Sequence, residues 1–374
     1  MNLSIQTETT RKLAPFPKRP YDFFSFDIPP PNGRRIEQID FIKSFAIISV
    51  IILHTICFHD HLRLAILAPF HIWHAVPIFM VLAGINSTLA TKSTHYQFIF
   101  SNEYSTKKII KYLDRIVAPF TIIWVIQITM MVTFKFKEIT IRQIAMSYFT
   151  GGYGPGSYFT PVFIQHLLLF PFIIWLLDYS KKHRTTSAII LFIFAVLTEW
   201  ICIKLNISEP LYRLLYVRYI FAVVIGVLIA RHSHQTYIAL LTIPSVAYIA
   251  SVSYFGYNSA ILYPSWGFQH APAYFYTATL IALLWNTYPY LSRLAPIFNY
   301  IGKSSFHIFL FQMFYFWIFY DKTFANTSNV IVWLFLNIAF CLSFGCLYFK
   351  AHQIVRVLTV SIFTKKNSHL IHYK

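Results

Sequence analysis

The chain has 374 residues, of which 57% are apolar and only 12% are charged, and its net charge at pH 7 is +18. A soluble domain carries about 25% charged residues, so this composition excludes a soluble globular protein, in line with the mean hydropathy of +0.56. In a soluble chain the positive charge would indicate nucleic-acid binding, but here the basic residues lie between long apolar segments. They are therefore expected to orient a multi-pass membrane protein and to contact anionic lipids.

The chain begins with a polar, proline-rich segment, residues 1–38, which has no signal-peptide pattern and predicts a cytoplasmic tail. Apolar segments of roughly 20 residues follow and predict membrane-spanning helices. We place ten of them, at 41–59, 67–90, 116–134, 161–179, 186–205, 211–230, 236–256, 271–291, 298–320 and 328–349. The predicted fold is thus an all-α bundle of about ten transmembrane helices over residues 39–350, with a second cytoplasmic tail at 351–374. The second helix contains Pro69 and Pro77 and is expected to be the least regular.

Lys and Arg are concentrated in alternate connections, which predicts that both termini lie on the cytoplasmic side of the cell (inner) membrane. The longest predicted outer connection, residues 135–160, contains GGYGPGSYF, whose glycines and Pro155 favour tight turns. It is either a plain surface loop or an outward-facing binding loop. Four cysteines lie in or beside apolar segments without metal-ligand spacing and are expected to be free thiols: Cys57, Cys202, Cys341 and Cys346.

The first apolar segment, IDFIKSFAIISVIILHT (39–55), contains Lys43 near its start and His54 near its end. Eleven steps of about 100° bring the helix back to within about 20° of its starting direction, with a rise of about 16 Å, so the two side chains share a face. Asp40 shares that face and is placed to pair with Lys43 across one turn. The spacing predicts a polar line from the cytoplasmic end of the helix to the middle of the membrane.

Each of these two residues also has an ordinary interpretation. Lys43 is suited to binding phosphate, but it is also placed to extend to the cytoplasmic interface. His54 is suited to taking a proton from a hydroxyl near neutral pH, but a buried histidine bonded to a neighbouring helix is the simpler alternative. Spacing alone leaves both alternatives open.

Four segments in order resemble the membrane acyltransferase-3 family: IDFIKSFAIISVIILH (39–54), HAVPIFMVLAGI (74–85), KKIIKYLDRIVAPF (107–120) and GKSSFHIFLFQMFYF (302–316). The resemblance implies transfer of an acyl group, most often acetyl from acetyl-CoA, to extracytoplasmic acceptors such as glycans. It places Lys43 and His54 at the family's essential basic and histidine positions, with Lys43 holding the donor. It implies that His54 is the proton acceptor or a transient acyl carrier.

The chain departs from the family pattern at two places. The basic pair before the third helix usually has two residues between its charges, but Tyr112 stands at that position before Arg115, and Lys111 is one position off. Gln312 occupies a position in the ninth helix where the family often has a histidine, and His307 lies five residues earlier. Neither residue of the ninth helix is assigned to catalysis.

Further polar residues are candidates for binding. CoA is polyanionic, which makes Lys111 and Arg115 candidate donor-binding residues, whereas Lys107 and Lys108 are as well suited to lipid contact. Gln165, beneath Tyr158 of the glycine-rich connection, is placed either to bind a sugar hydroxyl or to pack against a helix. On one continuous helix the side chains of Arg213 and Arg218 would point about 140° apart and could not serve one site. Arg218 lies deeper and is expected to be a buried polar partner.

Two rival classes remain. A transporter or flippase for a small molecule or glycan would also carry intramembrane polar residues, although no paired repeat of broken helices is evident. A scaffold or sensor with a degenerate acyltransferase fold is the second rival. As an enzyme, the protein is expected to use acetyl-CoA as substrate, with no permanently bound cofactor or metal, and a glycan or lipid-linked saccharide as acceptor. No nucleic-acid partner is expected, and the oligomeric state is left open.

Overall fold

The structure is a computed structural model that describes residues 23–26, 28, 35–56, 67–91, 99–134, 140–179, 183–231, 236–291, 293–319 and 330–371, with side chains for all of these except 236, 330 and 359–371. Most of the predicted N-terminal tail, Cys57, residues 135–139 of the long connection, and residues 372–374 lie outside the described residues.

The described residues form helices and no β-sheet, which confirms the predicted all-α class. The α-helices are α1 (Glu37–Ile56), α2 (Ala75–Ala90), α3 (Ile99–Glu103), α4 (Thr106–Tyr112), α5 (Ala118–Thr133), α6 (Ile141–Phe149), α7 (Phe159–Asp178), α8 (Arg184–Lys204), α9 (Glu209–Arg213), α10 (Ile220–Arg231), α11 (Thr236–Tyr254), α12 (Tyr274–Thr287), α13 (Ala295–Phe319) and α14 (Val330–Ile371). The second predicted span is irregular, because it opens with two 3₁₀ turns (Ala68–Phe70 and Ile72–His74) before α2, but the sixth predicted span is interrupted as well, by the 3₁₀ turn Tyr216–Tyr219.

Seven helical segments of the described chain are long and apolar enough to cross a membrane, so the predicted count of ten is not confirmed. They are Glu37–Ile56, Ala68–Ala90, Thr106–Thr133, Phe159–Asp178, Arg184–Lys204, Tyr237–Tyr254 and Ile331–Leu358. The other three predicted spans contain α10, α12 and α13. With 12 and 14 residues, α10 and α12 are short, whereas α13 has 25 residues and carries polar side chains such as Asn299 and Gln312.

Helix α1 lies in the centre of the packing, with its most extensive contacts on α13 and further contacts on α2 and α14. The approach of α1 and α13 is close at Gly302, where an added Cβ would lie 1.8 Å from the backbone oxygen of Asp40. The two ends of α1 therefore define two ends of the bundle. We call them the Lys43 end, where α1 begins, and the His54 end, where it finishes.

Both predicted tails take part in the helical structure. From the N-terminal segment, Phe26 is buried with its ring 5.7 Å from that of Trp285, and the Asn286 side chain donates a hydrogen bond of 2.8 Å to the Phe23 carbonyl. At the other end α14 continues through Ile371, so most of the predicted tail at 351–374 is helical. Three cysteines, Cys202, Cys341 and Cys346, are free thiols.

The glycine-rich connection is not a plain surface loop. Helix α6 begins at a capping box formed by Thr140 and Gln143, and the chain then turns back toward the bundle at 150–158. Gln127 of α5 fixes this turn, because its side chain donates to the Tyr153 carbonyl at 2.7 Å and accepts from the Tyr153 amide at 3.1 Å. The Tyr153 ring also stacks on Trp317 at 5.9 Å. The segment 150–158, called the glycine loop below, thus lies over the His54 end of α1 and α13.

Candidate active site

At the Lys43 end, Asp40 is held between two cations. Arg35 binds both carboxylate oxygens of Asp40, with Nη2 at 2.8 Å from Oδ1 and Nε on Oδ2. The Lys43 ammonium lies 3.8 Å from Oδ1, with 23% of its side chain exposed. The predicted pairing of Asp40 with Lys43 is therefore present, and Arg35 joins it. Because the carboxylate is shared, the cluster keeps a net positive charge.

Further cations surround this cluster. Residues Leu113–Val117 form a π-helical turn, which contains one residue more than an α-helical turn and so re-aims the basic residues on either side of it. Arg115, within the turn, interacts electrostatically with both Lys43 and Lys111. Arg356 of α14, which the sequence did not indicate, also belongs to this group. It forms an ion pair with Asp114 of the turn, with 2.9 Å between its Nε and Oδ2. Arg35, Lys111, Arg115 and Arg356 are exposed, and together with half-buried Lys43 they form what we call the basic cluster.

At the other end of α1, the imidazole of His54 is oriented by Gln312 of α13. His54 Nδ1 lies 2.8 Å from Gln312 Oε1. An amide oxygen only accepts hydrogen bonds, so Nδ1 carries the proton and Nε2 keeps its lone pair. Among the described residues, Nε2 has no hydrogen-bond partner, and the ring is half-buried with the edge of Phe316 at 5.9 Å. His54 is thus held in the tautomer that presents a basic nitrogen.

The glycine loop covers the ring next to that nitrogen. Gly156 has a φ of +84°, and a Cβ added to it would lie 3.3 Å from His54 Cε1 and 3.2 Å from Phe309 Cε2. Only glycine adopts this backbone conformation without strain and also leaves room for the imidazole. The loop that the sequence offered as a binding candidate therefore reaches the predicted catalytic histidine.

The face of α1 between Lys43 and His54 is apolar and packed. Ile47 and Ile51 have no exposed surface and Val50 has 3%. The expected polar line from Lys43 to His54 is therefore not an open path: about two turns of buried aliphatic side chains separate its two polar ends. The sequence pattern gave the face correctly but could not show which neighbours fill the space along it.

Gln165, Tyr158 and Arg218 lie at the His54 end. Gln165 donates to the Leu214 carbonyl at 2.8 Å and accepts from the Tyr216 amide at 3.1 Å, which fits the helix-packing interpretation because both ends of the amide bind backbone. The Tyr158 ring centre lies 5.3 Å from the guanidinium carbon of Arg218. Arg218 is 1% exposed, as expected for a buried polar group.

The prediction that Arg213 and Arg218 point in different directions rested on a wrong helix boundary. It assumed one continuous helix, but α9 ends at Arg213 and the chain resumes with a 3₁₀ turn, Tyr216–Tyr219, before α10. Both guanidinium groups consequently contact one indole, since their central carbons lie 4.8 Å and 5.7 Å from the Trp266 ring.

A family model described as an acyltransferase domain matches residues 36–350, which include both ends of α1, the glycine loop and α13. The chain belongs to the acyltransferase-3 family. Searches of curated proteins and of solved structures gave no match. Membership confirms the resemblance in the four segments, makes the protein a membrane acyltransferase, and does not favour the transporter alternative. Within this acyltransferase, Gln312, Gly156 and Arg356 are the candidate site residues that sequence patterns did not assign.

Proposed function

We propose that this acyltransferase moves an acetyl group from acetyl-CoA, bound at the Lys43 end, to a hydroxyl of an extracytoplasmic glycan or glycolipid that approaches the His54 end. The observation that carries the proposal is the pair of His54 and Gln312, which leaves a basic Nε2 beneath the glycine loop. A histidine near neutral pH is well suited to remove a proton from a hydroxyl. For the donor, the corresponding observation is the basic cluster at the Lys43 end.

The transfer itself requires one base. His54 Nε2 takes the proton of the acceptor hydroxyl while that oxygen attacks the thioester carbonyl carbon. The carbon–sulfur bond then breaks, and the departing thiolate of CoA takes the proton from the imidazolium. In the two-step variant, Nε2 attacks the thioester carbonyl carbon first, and the carbon–sulfur bond breaks to release the CoA thiolate. The acceptor hydroxyl then attacks the acetyl-imidazolium, its proton passes to the thiolate, and His54 is released as neutral imidazole. An acetyl group found attached to the protein after rapid quenching of a reaction without acceptor would identify the two-step route.

The phosphates of CoA fit the basic cluster. Lys43 is a compact point charge, and Arg35, Arg115 and Arg356 offer planar guanidinium groups, which suit phosphate oxygens. These groups belong to four different parts of the chain: the segment before α1, α1 itself, the π turn and α14. Asp40 and Asp114 each hold one arginine in place through an ion pair. The cations are therefore positioned before the donor binds, which reduces the entropy lost on binding.

The packed face between Lys43 and His54 adds a conformational step. For the thioester at the Lys43 end to reach Nε2, the side chains around Ile47 and Ile51 have to move apart. Such gating motions are common in enzymes that close their reaction site from water. A closed path in the absence of donor also keeps the two sides of the membrane separated.

The proposal is tested in cells that lack the gene and carry either the wild-type protein or His54→Ala. Surface polysaccharide and lipid fractions are compared by mass spectrometry. We expect one fraction to gain the mass of an acetyl group with wild type and not with His54→Ala, although both proteins accumulate in the membrane. The matched control is His183→Ala, because His183 is exposed at the start of α8 and lies outside the site. Acetylated product with His54→Ala would refute the role of His54.

A further inference from the structure

The most unusual polar group outside the His54 and Lys43 neighbourhoods is the guanidinium of Arg218. It is 1% exposed and is surrounded by the rings of Tyr158, Tyr212, Tyr219 and Trp266, at 5.3, 5.3, 4.5 and 5.7 Å from its central carbon. Aromatic faces attract a cation, but a buried arginine is almost always paired as well with an anion. We call this group of four rings the aromatic cage.

Few of the hydrogen-bond donors of Arg218 are used. Nη2 donates to Gln269 Oε1 at 3.3 Å and to the Tyr219 hydroxyl. Nε and Nη1, which carry three of the five N–H groups, are buried and have no partner among the described residues. No carboxylate oxygen of the described chain lies within 4.0 Å of the guanidinium. A buried guanidinium whose N–H groups are unpaired is strongly unfavourable unless an anion binds to it.

Neither of the two acidic groups nearby forms an ion pair with Arg218, although Glu199 interacts with Arg218 electrostatically and its Oε1 has no hydrogen-bond partner among the described residues. Glu199 accepts from the Tyr263 amide at 3.2 Å and lies 3.5 Å from His270 Nδ1. Glu209 accepts from Trp266 Nε1 at 3.0 Å and forms an ion pair with Arg213. Burial lowers the pKa of His270 to about 3, so His270 is neutral near pH 7 and adds no charge. Arg218 is therefore the positive group of the cage.

Two rings of the cage are fully buried, and the other two, which we call its walls, are half-buried. Tyr212 and Tyr219 are fully buried, whereas Tyr158 and Trp266 are half-buried and lie in segments outside the long helices. Trp266 has a φ of +67°, which is rare for a bulky residue and marks a strained loop position. The rings of Tyr158 and Trp266 meet edge to face at 6.1 Å. Tyr158 and Trp266 are thus the partly exposed members of the cage.

The cage is directly connected to the histidine through the glycine loop. A Cβ added to Gly156 would lie 3.3 Å from the His54 ring, and Tyr158, two residues later, is a wall of the cage. A ligand between Tyr158 and Trp266 would therefore lie beside the loop that covers Nε2. This is the side from which the acceptor approaches in the proposed function.

We propose that Arg218 and the aromatic cage bind an anionic group of the acceptor, a carboxylate or a phosphate, so that the substrate class is an acidic or phosphorylated glycan. The inference rests on the proposed function for the word acceptor, but the anion site itself does not depend on acyl transfer. Binding separates the rings of Tyr158 and Trp266 and supplies the anion that the free N–H groups of Arg218 lack.

The test uses the full-length protein in lipid nanodiscs and three probes that differ only at C6 of the sugar: a methyl glucoside, the corresponding methyl glucuronide, and the methyl glucoside 6-phosphate. Dissociation constants are measured by titration calorimetry. We expect wild type to bind one of the anionic probes at least tenfold more tightly than the neutral one, and the preferred probe distinguishes a carboxylate from a phosphate. Equal binding of all three by wild type would overturn the proposal without any variant.

Variants then test whether Arg218 is the source of the preference for an anionic probe. Arg218→Gln should bring the anionic probes down to the affinity of the neutral probe, whereas Arg142→Gln, at an exposed arginine of α6, should keep the preference. If Arg218 serves only to balance Glu199, Glu199→Gln would reduce thermal stability as much as Arg218→Gln, and wild type would show no anion preference. A preference that persists in Arg218→Gln would also overturn the proposal. Should Arg218→Gln not fold, Trp266→Leu, which removes one wall, should reduce the same preference.

The experiments distinguish a failure of the anion site from a failure of the proposed function. His54→Ala should retain the preference for the anionic probe, because His54 is not part of the cage. An anion preference in a protein that transfers no acetyl would leave the site in place and refute the function. Equal acetylation of neutral and anionic probes would support the function and refute the site.

Discussion

Arg356, on the last helix, forms an ion pair with Asp114, one residue before Arg115, with 2.9 Å between Nε and Oδ2. The sequence offers only Lys111 as a partner for Arg115 in the basic segment before α5, at a spacing that departs from the family pattern. In the folded chain Arg356 interacts electrostatically with both Lys111 and Arg115. A cation from a distant part of the sequence thus completes the basic cluster.

If the basic cluster binds the phosphates of the donor, Arg356→Gln should raise KM for acetyl-CoA and leave kcat unchanged. The increase should be at most about fivefold, because an exposed ion contact contributes about 1 kcal/mol at most and 1.4 kcal/mol corresponds to tenfold. Raising the ionic strength should reduce the difference between variant and wild type, since salt screens exposed charges. The control is Arg293→Gln, another exposed arginine, just before α13. A fall in kcat at unchanged KM would contradict this role.

Gln312 is predicted to be a positioning residue for His54. Gln312→Leu removes the acceptor for Nδ1–H, so the imidazole loses both its preferred tautomer and its orientation. We expect kcat to fall by about 10²-fold, the lower end of the usual contribution of a general base, with KM for acetyl-CoA unchanged. Gln312→Glu restores an acceptor and should recover part of kcat with an altered pH profile. A purely structural role would lower the amount of folded protein and leave kcat per folded molecule intact.

Gly156→Ala should impair the reaction more than the fold. The added methyl group would lie 3.3 Å from His54 Cε1 in a backbone conformation that costs a non-glycine residue about 1–2 kcal/mol. Steady-state kinetics should show a lower kcat, because the imidazole or the loop has to shift. Gly256→Ala is the matched control, since Gly256 also has a positive φ, of +64°, but an added Cβ there has no atom within 4 Å. Equal kinetic effects of the two substitutions would show that backbone strain alone is responsible.

The sequence predicted the parts of this molecule that depend on local patterns. The apolar segments gave the all-α class, and the spacing of Lys43 and His54 gave a common helix face, because helical geometry is nearly uniform. What fills the space beside that face was not predictable, since Ile47 and Ile51 look alike in sequence whether they line a path or close it. Packing partners depend on the whole bundle.

The same limit applies to the site residues that the sequence did not assign. Gln312 is an ordinary polar residue in a helical segment until α13 is placed against α1. The break between Arg213 and Arg218 has no proline or glycine to mark it, so a continuous helix was the natural expectation. Only the folded chain shows that Trp266, about fifty residues later in the sequence, contacts both arginines.

Glu209 provides a pH dependence at the His54 end. Hydrogen bonds from Trp266 Nε1 and from Arg213 lower the pKa of its carboxyl group below the ordinary value of 4.5. The folded pKa is depressed, so the carboxylate stabilises the fold above about pH 4.5, and this contribution is lost as the pH falls through the lowered folded pKa. Glu209→Gln should lower Tm slightly near neutral pH. The difference in Tm from wild type should vanish once the pH is below the lowered pKa of Glu209. A difference that grows on acidification would have the wrong sign.

Gly302 tests whether the close approach of α1 and α13 positions both halves of the site. An added Cβ would lie 1.8 Å from the Asp40 carbonyl oxygen, which is backbone and cannot rotate away. Gly302→Ala should therefore push the two helices apart, move the Lys43 end relative to the basic cluster, and separate Gln312 from His54. We expect a clear fall in Tm together with loss of both donor binding and kcat, whereas Gly256→Ala should show only the modest effect of its backbone conformation. Wild-type Tm and kcat in Gly302→Ala would mean that α1 and α13 are not packed in this way.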